Sequence, residues 1–193
     1  MFEIIDNFLP QEEFQEYKEI HTNTFFPWYF MPSTTVTVPV DHLNGSTLEN
    51  SVIREFPGLI HTFFENYKSN NSPWENHALQ LLSHITNYFQ QDILVHRMRS
   101  NLLYPLDRKE DIEHLTPHVD SKNYHLVGLY YLDDTDGPTR FFEIDNDLCK
   151  IDRTVESKQN RLIIFSGDKL HAGQCPQDMP YRISTNINFE LTQ

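Results

Sequence analysis

His125-Leu126-Val127-Gly128-Leu129-Tyr130-Tyr131-Leu132 runs into Asp133-Asp134-Thr135-Asp136-Gly137-Pro138, and Thr139-Arg140-Phe141-Phe142-Glu143-Ile144 follows. An apolar run of strand length, a turn-forming stretch and a second β-branched and aromatic run predict strand, turn, strand. The pattern recurs through the second half of the chain. Ile93 to Tyr104, Arg161 to Phe165 and Ile183 to Phe189 read as further strands, with Ser166-Gly167-Asp168 as another tight turn. Many short strands at this spacing predict a β-sandwich or a jelly-roll (cupin-like) barrel.

Upstream the signals change. Leu9-Pro10-Gln11-Glu12-Glu13 looks like a helix start, with proline in the first turn and acids at the positive end of the dipole, and the helix should reach Ile20 or His21. Ser72-Pro73-Trp74-Glu75 reads as N-cap, first turn and capping-box partner of a second clear helix. Trp74, Ala78, Leu81, Leu82, Ile85, Tyr88 and Phe89 recur at helical spacing and give it one core-facing stripe. Phe56 to Tyr67 is read as a further helix with a start blurred by Pro57-Gly58, and Thr34 to Val40 as a strand. The aromatic stretch Phe25 to Phe30 is assigned to sealing the core rather than to lining an entrance. Helices first and strands later give a mainly β (α+β) domain whose N-terminal helices buttress one side of the barrel. One domain over 1–193 is expected, with a helical support region over 1–92 and the barrel core over 93–193.

The chain has 193 residues, 38% of them hydrophobic and 22% charged. That suits one soluble domain with a proper core. No apolar run approaches the roughly 20 residues that span a membrane. The opening Met1-Phe2-Glu3-Ile4-Ile5-Asp6 lacks a secretory pattern, so a cytoplasmic protein is expected. The formal charge of −13 disfavours nucleic acid, because 15 Lys and Arg are scattered apart from a short cluster at Arg97 and Arg99. A cationic or neutral substrate is the easier expectation. Cys149 and Cys175 are expected to be free thiols. Cys175 lies four residues after His171, near enough to raise a role beside a metal, which hard-oxygen chemistry does not need.

His118-Val119-Asp120 lies between these strands, His171 follows the Arg161–Phe165 run and its turn, and Arg182 comes eleven residues later. Residues two apart in an extended strand point to the same side, so His118 and Asp120 can reach one metal. Alone, that pattern is more often a polar surface strand. Two imidazoles and one carboxylate can hold one face of an octahedral iron(II) and leave three positions open. Other histidines compete. His114 and His118 have the spacing of a zinc-binding helix, which Pro117 opposes, and His125 could replace either ligand but has no carboxylate at a suitable offset. Arg182 and Ser184 share one face of the last strand. A guanidinium there can clamp the far carboxylate of a dicarboxylic co-substrate, with the serine hydroxyl as a further donor.

As an ordered set, His118-Val119-Asp120, Tyr130-Tyr131-Leu132-Asp133, Gly137-Pro138-Thr139-Arg140-Phe141-Phe142, Arg161-Leu162-Ile163-Ile164-Phe165, His171 and Arg182 resemble the prolyl-hydroxylase branch of the 2-oxoglutarate and iron(II) oxygenases. The resemblance covers about Ile93 to Leu191, with weaker support from Asp6-Asn7-Phe8-Leu9. It departs from the family where Gly137-Pro138-Thr139 replaces a Gly-Gly-x-Thr pattern, in a slightly long gap from His171 to Arg182, and in a charged, glycine-free segment between Tyr104 and His118.

The resemblance implies a double-stranded β-helix. It makes His118, Asp120 and His171 the iron ligands and Arg182 the partner of the distal 2-oxoglutarate carboxylate. It assigns Tyr131 to helping hold that carboxylate and Tyr104 to lining the co-substrate pocket. Fe(II), 2-oxoglutarate and O2 follow as cofactors, with ascorbate as an accessory reductant. The implied reaction is hydroxylation of a peptidyl side chain, prolyl in particular, or of a small molecule, with release of succinate and CO2. A non-catalytic jelly-roll binding domain and a metal hydrolase using the same triad are the alternatives. Oligomeric state is not legible.

Overall fold

β1 (Phe2–Asp6) opens the chain and α1 (Gln11–Thr22) follows, its first turn carrying Glu12 and Glu13. The computed structural model describes residues 1–34, 56–105, 114–121, 123–145 and 148–192. The expected strand from Thr34 to Val40 therefore lies almost wholly outside the described residues, as does most of the charged segment after Tyr104. β2 (Tyr29–Met31), β3 (Gly58–Glu65), β4 (Lys68–Ser69) and α2 (Glu75–Phe89) complete the first half. Then come β5 (Ile93–Leu103), β6 (Leu126–Tyr131), β7 (Thr135–Asp145), β8 (Leu148–Ser157), β9 (Arg161–Ser166), β10 (His171–Gly173) and β11 (Arg182–Leu191).

The strands form two sheets. The larger has the order β1-β9-β6-β11-β5-β3-β2, with β4 paired to β3, and the smaller has the order β10-β7-β8. The named pairings are antiparallel. This is the double-stranded β-helix architecture, with sheets that do not close into a continuous barrel.

Alternation along the central strands decides what each face does. On β6, Leu126 and Tyr130 pack towards the helices, and Val127, Leu129 and Tyr131 pack towards the smaller sheet. On β9, Leu162 and Ile164 take the first direction, Ile163 and Phe165 the second. Phe14, Tyr17 and Ile20 of α1 and Ala78, Leu81 and Ile85 of α2 meet the first face and form the main core. The second face, with Phe141 and Val155, fills the space between the sheets. Helical buttressing of one side is thus as the sequence predicts.

Phe56 to Tyr67 is not a helix. Gly58–Glu65 is a strand between β2 and β5. Helix initiation is opposed by Pro57-Gly58, while β-branched and aromatic residues suit an interior strand. A register shift between Thr62 and Phe64 puts Phe63, fully buried, on the helix side. Among the described residues the region before Ile93 therefore holds four strands as well as two helices.

Smaller differences have local causes. α2 begins at Glu75 because Ser72 closes a turn first: its hydroxyl accepts from the Trp74 N–H at 3.2 Å and its carbonyl from the Glu75 N–H at 3.1 Å. Glu75 then binds the Ser69 hydroxyl instead of serving a capping box. Tyr88, placed in the apolar stripe by its spacing, is exposed. The turn after β6 is shorter than expected, since β7 starts at Thr135 and a register shift between Thr135 and Thr139 absorbs Gly137 and Pro138. The aromatic stretch divides: Phe26 is buried and Trp28 packs beside it, while Phe25, Tyr29 and Phe30 are exposed.

Candidate metal and co-substrate site

Pro117 keeps the chain extended on entering His118. His118 then forms a single antiparallel bridge to His171, with N–H to carbonyl distances of 2.9 and 3.0 Å. This bridge extends the smaller sheet past β10 and sets the two imidazoles side by side, ring centroids 4.8 Å apart. The turn at Gly167-Asp168 is closed by the Lys169 N–H donating to the Ser166 carbonyl at 3.0 Å, which returns His171 to the sheet. The His171 ring is then wedged edge-on against Phe165 at 4.9 Å.

Each imidazole is oriented by a backbone carbonyl. His118 Nδ1 lies 3.0 Å from the Thr116 carbonyl, and His171 Nδ1 lies 2.9 Å from that of Lys169. A carbonyl only accepts, so Nδ1 carries the proton in both rings and Nε2 presents its lone pair. Burial first, and then the charges of His171 and Arg97, push His118 down to about 4, so its ring is neutral near pH 7.

Asp120 crosses from the smaller sheet to the larger. Its Oδ1 accepts from Arg97 Nη2 at 3.0 Å, and its Oδ2 from Asn186 Nδ2 at 3.0 Å and Asn188 Nδ2 at 2.9 Å. Burial pushes the carboxyl up, but electrostatic interaction with the His171 imidazole, the Arg97 guanidinium and the His118 imidazole, together with the Asn188 hydrogen bond, outweighs it and holds Asp120 well below the usual carboxylate range. His118 Nε2 is 3.9 Å from Asp120 Oδ1. The candidate ligand atoms of His118, Asp120 and His171 all lie within 4.8 Å of one another. Two imidazole nitrogens and one carboxylate oxygen at this spacing can surround a single divalent cation.

The same cavity extends along β11 and β5 to Arg182, past Ser184, Asn101 and Leu103. Arg182, Ser184, Asn186 and Asn188 are alternate residues of β11, so one row runs from the Asp120 clamp to the guanidinium. From Asn186 to Arg182 the strand advances roughly 13 Å. Arg182 is 3% exposed. Its Nη2 donates to Thr139 Oγ1 at 2.9 Å, and Thr139 Oγ1 also accepts from the Tyr131 hydroxyl at 2.7 Å. Burial pushes the Tyr131 hydroxyl up, so it stays protonated and donates. The guanidinium carbon lies 5.2 Å from the Tyr131 ring centroid and Ser184 Oγ is 3.5 Å from Nη1. Among the described residues Arg182 has no carboxylate partner, and its Nε is buried without an acceptor. Gly137 makes room for this side chain, because a Cβ there would stand 2.9 Å from Arg182 Cδ and 2.6 Å from the Gln174 carbonyl oxygen.

Other candidates fall elsewhere. His125 packs its ring on Gly167 and is tied by Nδ1 to the Asn123 carbonyl at 2.7 Å, outside the ligand set. His114 turns to the Leu115 carbonyl and the Phe142 ring. Cys175 is buried with Leu103, Leu115 and Phe142, and neither cysteine is in a disulfide. Tyr104 is half-buried just past β5, where Leu103 rather than Tyr104 lines the cavity. Arg97, Arg99, Thr139, Asn186 and Asn188 were not singled out from the sequence as site residues. For the residues of β5 and β11 the signal was there: polar side chains at every second position, Arg97, Arg99 and Asn101 on one strand and Arg182, Ser184, Asn186 and Asn188 on the other.

No protein-family model matches the sequence, and no curated protein matches it. Solved structures do match the fold. An oxidoreductase of the 2OG-Fe(II) oxygenase family from Burkholderia pseudomallei superposes with a TM-score of 0.67 at 10% identity, over 98% of this chain and 84% of its own. The chain has the fold of the 2-oxoglutarate and iron(II) oxygenases. A Trichoplax adhaerens prolyl hydroxylase, solved with a peptide fragment of hypoxia-inducible factor, gives 0.60 at 17% identity over 97% and 82%. The non-haem alpha-ketoglutarate-dependent epimerase SnoN from nogalamycin biosynthesis gives 0.62 at 12% identity over 98% and 77%. The donor set of this chain suits the metal of that fold, and the buried, acid-free Arg182 suits an anionic co-substrate. Among the described residues no helix is long and apolar enough to cross a membrane.

Proposed function

We propose that this protein is an iron(II) and 2-oxoglutarate-dependent dioxygenase that hydroxylates a small molecule or a peptidyl side chain. The observation that carries this reading is Arg182. A guanidinium buried without a carboxylate partner among the described residues is costly unless an anion joins it. It stands at one end of a cavity whose other end holds two Nε2 atoms and a carboxylate converging on one point. A dicarboxylate that chelates a metal through one end and needs a cation at the other fits both requirements.

In this reading His118, Asp120 and His171 hold the iron and leave its remaining positions open. Arg182 binds the distal carboxylate, Thr139 and Tyr131 fix the guanidinium, and Ser184 adds a hydroxyl donor. Tyr104 stands outside the lining and is assigned the lesser role of closing the end of β5. When bound, the iron and 2-oxoglutarate supply oxidation by O2, with succinate and CO2 as co-products. The chain fixes the metal face, neutralises the co-substrate and keeps the pocket walled by apolar residues such as Leu103, Leu115 and Leu129.

The test is an anaerobic titration of metal-free protein with iron(II) and 2-oxoglutarate, following the visible charge-transfer band of the chelate. The expected band disappears in His118→Ala and needs far more 2-oxoglutarate in Arg182→Ala. A folded protein that gives no band under these conditions would leave a binding domain or a metal hydrolase as the better reading.

A further inference from the structure

Arg99 is a second buried guanidinium in the same cavity, and nothing in the oxygenase reading employs it. It is 9% exposed. Among the described residues its guanidinium makes one hydrogen bond, a long one from Nη2 to the Thr34 carbonyl at 3.5 Å, and its Nε is buried without an acceptor. No carboxylate pairs with it among the described residues. Burial first, and then the neighbouring charge of Arg97, lower Arg99 to about 10, which still leaves it charged near pH 7.

Its place on the sheet separates it from the co-substrate clamp. Arg97, Arg99, Asn101 and Leu103 are alternate residues of β5, and they stand opposite Asn188, Asn186, Ser184 and Arg182 of β11. Arg99 is therefore level with Asn186, which holds Asp120, and four residues away from the level of Arg182. It lies one strand outward from β11, on the side of β3. Arg97 is paired with Asp120 through Nη2, although its Nε too is buried without an acceptor, and Arg182 faces the distal carboxylate. Arg99 alone remains, beside the metal end.

We propose that Arg99 binds a carboxylate of the primary substrate and so holds the reacting carbon beside the metal. The inference rests on the oxygenase reading and names its substrate class: a molecule with a carboxylate group. It reverses the expectation drawn from the net charge of −13, because the charged side chains that line the cavity, histidines aside, are Arg99 and Arg182 against one carboxylate, Asp120. A planar guanidinium with a free edge suits a planar carboxylate, which it can meet with two parallel hydrogen bonds.

The test uses 15N-labelled full-length protein loaded with zinc(II), a redox-silent stand-in for iron, and saturated with 2-oxoglutarate. Sodium formate, the smallest carboxylate, is titrated in while the arginine Nε–Hε signals are followed. Arg99 and Arg182 are assigned through Arg99→Lys and Arg182→Lys, and exposed Arg153 reports non-specific effects. The expected result is a saturable shift of the Arg99 signal while Arg182 and Arg153 stay still or drift linearly. An Arg99 signal that does not saturate overturns the proposal. So does one that responds only when 2-oxoglutarate is left out, since Arg99 would then serve the co-substrate. Failure of the oxygenase reading is read separately, as an Arg182 signal indifferent to 2-oxoglutarate.

Discussion

Asn188 Nδ2 donates to Asp120 Oδ2 at 2.9 Å, and its own Oδ1 accepts from Arg97 Nη2 at 3.2 Å, so one amide orients both the carboxylate and the cation that neutralises it. Groups that orient a metal ligand typically change metal affinity by about 10–100-fold when removed. Asn188→Ala is expected to weaken iron(II) binding by about that factor, measured by competition with a chelating dye, with the far-ultraviolet circular dichroism unchanged. Arg97→Gln should have a smaller effect. It loses orientation, but it also removes a positive charge that repels the metal, and the two changes oppose each other. Unaltered affinity in Asn188→Ala would show that the carboxylate needs no such support.

Arg182 supplies a prediction about stability as well as binding. Replacing a buried, unpaired charge by an apolar side chain of similar length is neutral or stabilising. Arg182→Met should therefore melt no lower than the wild type without ligands. It should also lose the stabilisation that 2-oxoglutarate gives the zinc-loaded wild type, about 2.7 kcal/mol at a hundred times the Kd. Thermal melts with and without 2-oxoglutarate check both parts. A variant that melts far lower without ligand would make Arg182 a structural residue instead.

Gly137 limits the space for the stem of the same side chain. A Cβ at 2.6 Å from the Gln174 carbonyl oxygen and 2.9 Å from Arg182 Cδ meets backbone on one side and the stem of the clamp on the other. Gly137→Ala should cost about 1–3 kcal/mol of stability by overpacking, and it should raise the 2-oxoglutarate requirement while leaving iron(II) affinity near that of the wild type. Urea unfolding and the chelate band provide the two readouts. Equal damage to metal and co-substrate binding would contradict a local effect on Arg182.

β5, β6, β7, β9 and β11 were legible because turn residues separate their apolar and β-branched runs, whereas β8, largely exposed and rich in charged residues, and the three-residue β10 were not read as strands. The convergence of His118, Asp120 and His171 was legible only as order along the chain, since the bridge that joins His118 to His171 spans fifty-three residues of sequence. β3 was misread because its bulge at Thr62/Phe64 breaks the two-residue period and lets the adjacent Phe63 and Phe64 both pack against the main core, so the stretch does not alternate. The clamps on Asp120 were hidden for another reason. Arg97 and Asn188 lie 23 and 68 residues from it, and only the pairing of β5 with β11 brings them together.

The last prediction concerns His21 of α1, which is outside the candidate ligand set. Nδ1 lies 2.7 Å from the Tyr17 carbonyl, so it carries the proton, and Nε2 accepts from the Ser100 hydroxyl at 2.8 Å. Ser100 also meets Thr185 at 2.8 Å, and Thr185 meets the Tyr17 hydroxyl at 3.0 Å. A proton on Nε2 would require this chain of hydroxyls to reverse in a site closed to water. Burial, helped by the charges of His61 and His77, accordingly pushes His21 down to about 3 against the raising effect of the Tyr17 carbonyl. An unfolded histidine titrates near 6.5. Between pH 6.5 and about 3 the unfolded chain binds a proton that the folded chain refuses, so stability falls as pH falls through this window and is level above it. One such group contributes a slope of about 1.4 kcal/mol per pH unit well inside the window. Urea unfolding of metal-free protein between pH 7.5 and 4.5 should show that slope reduced by one proton in His21→Gln, whose amide can still meet Ser100. Parallel pH profiles for the two proteins would mean that His21 already ionises in the folded state.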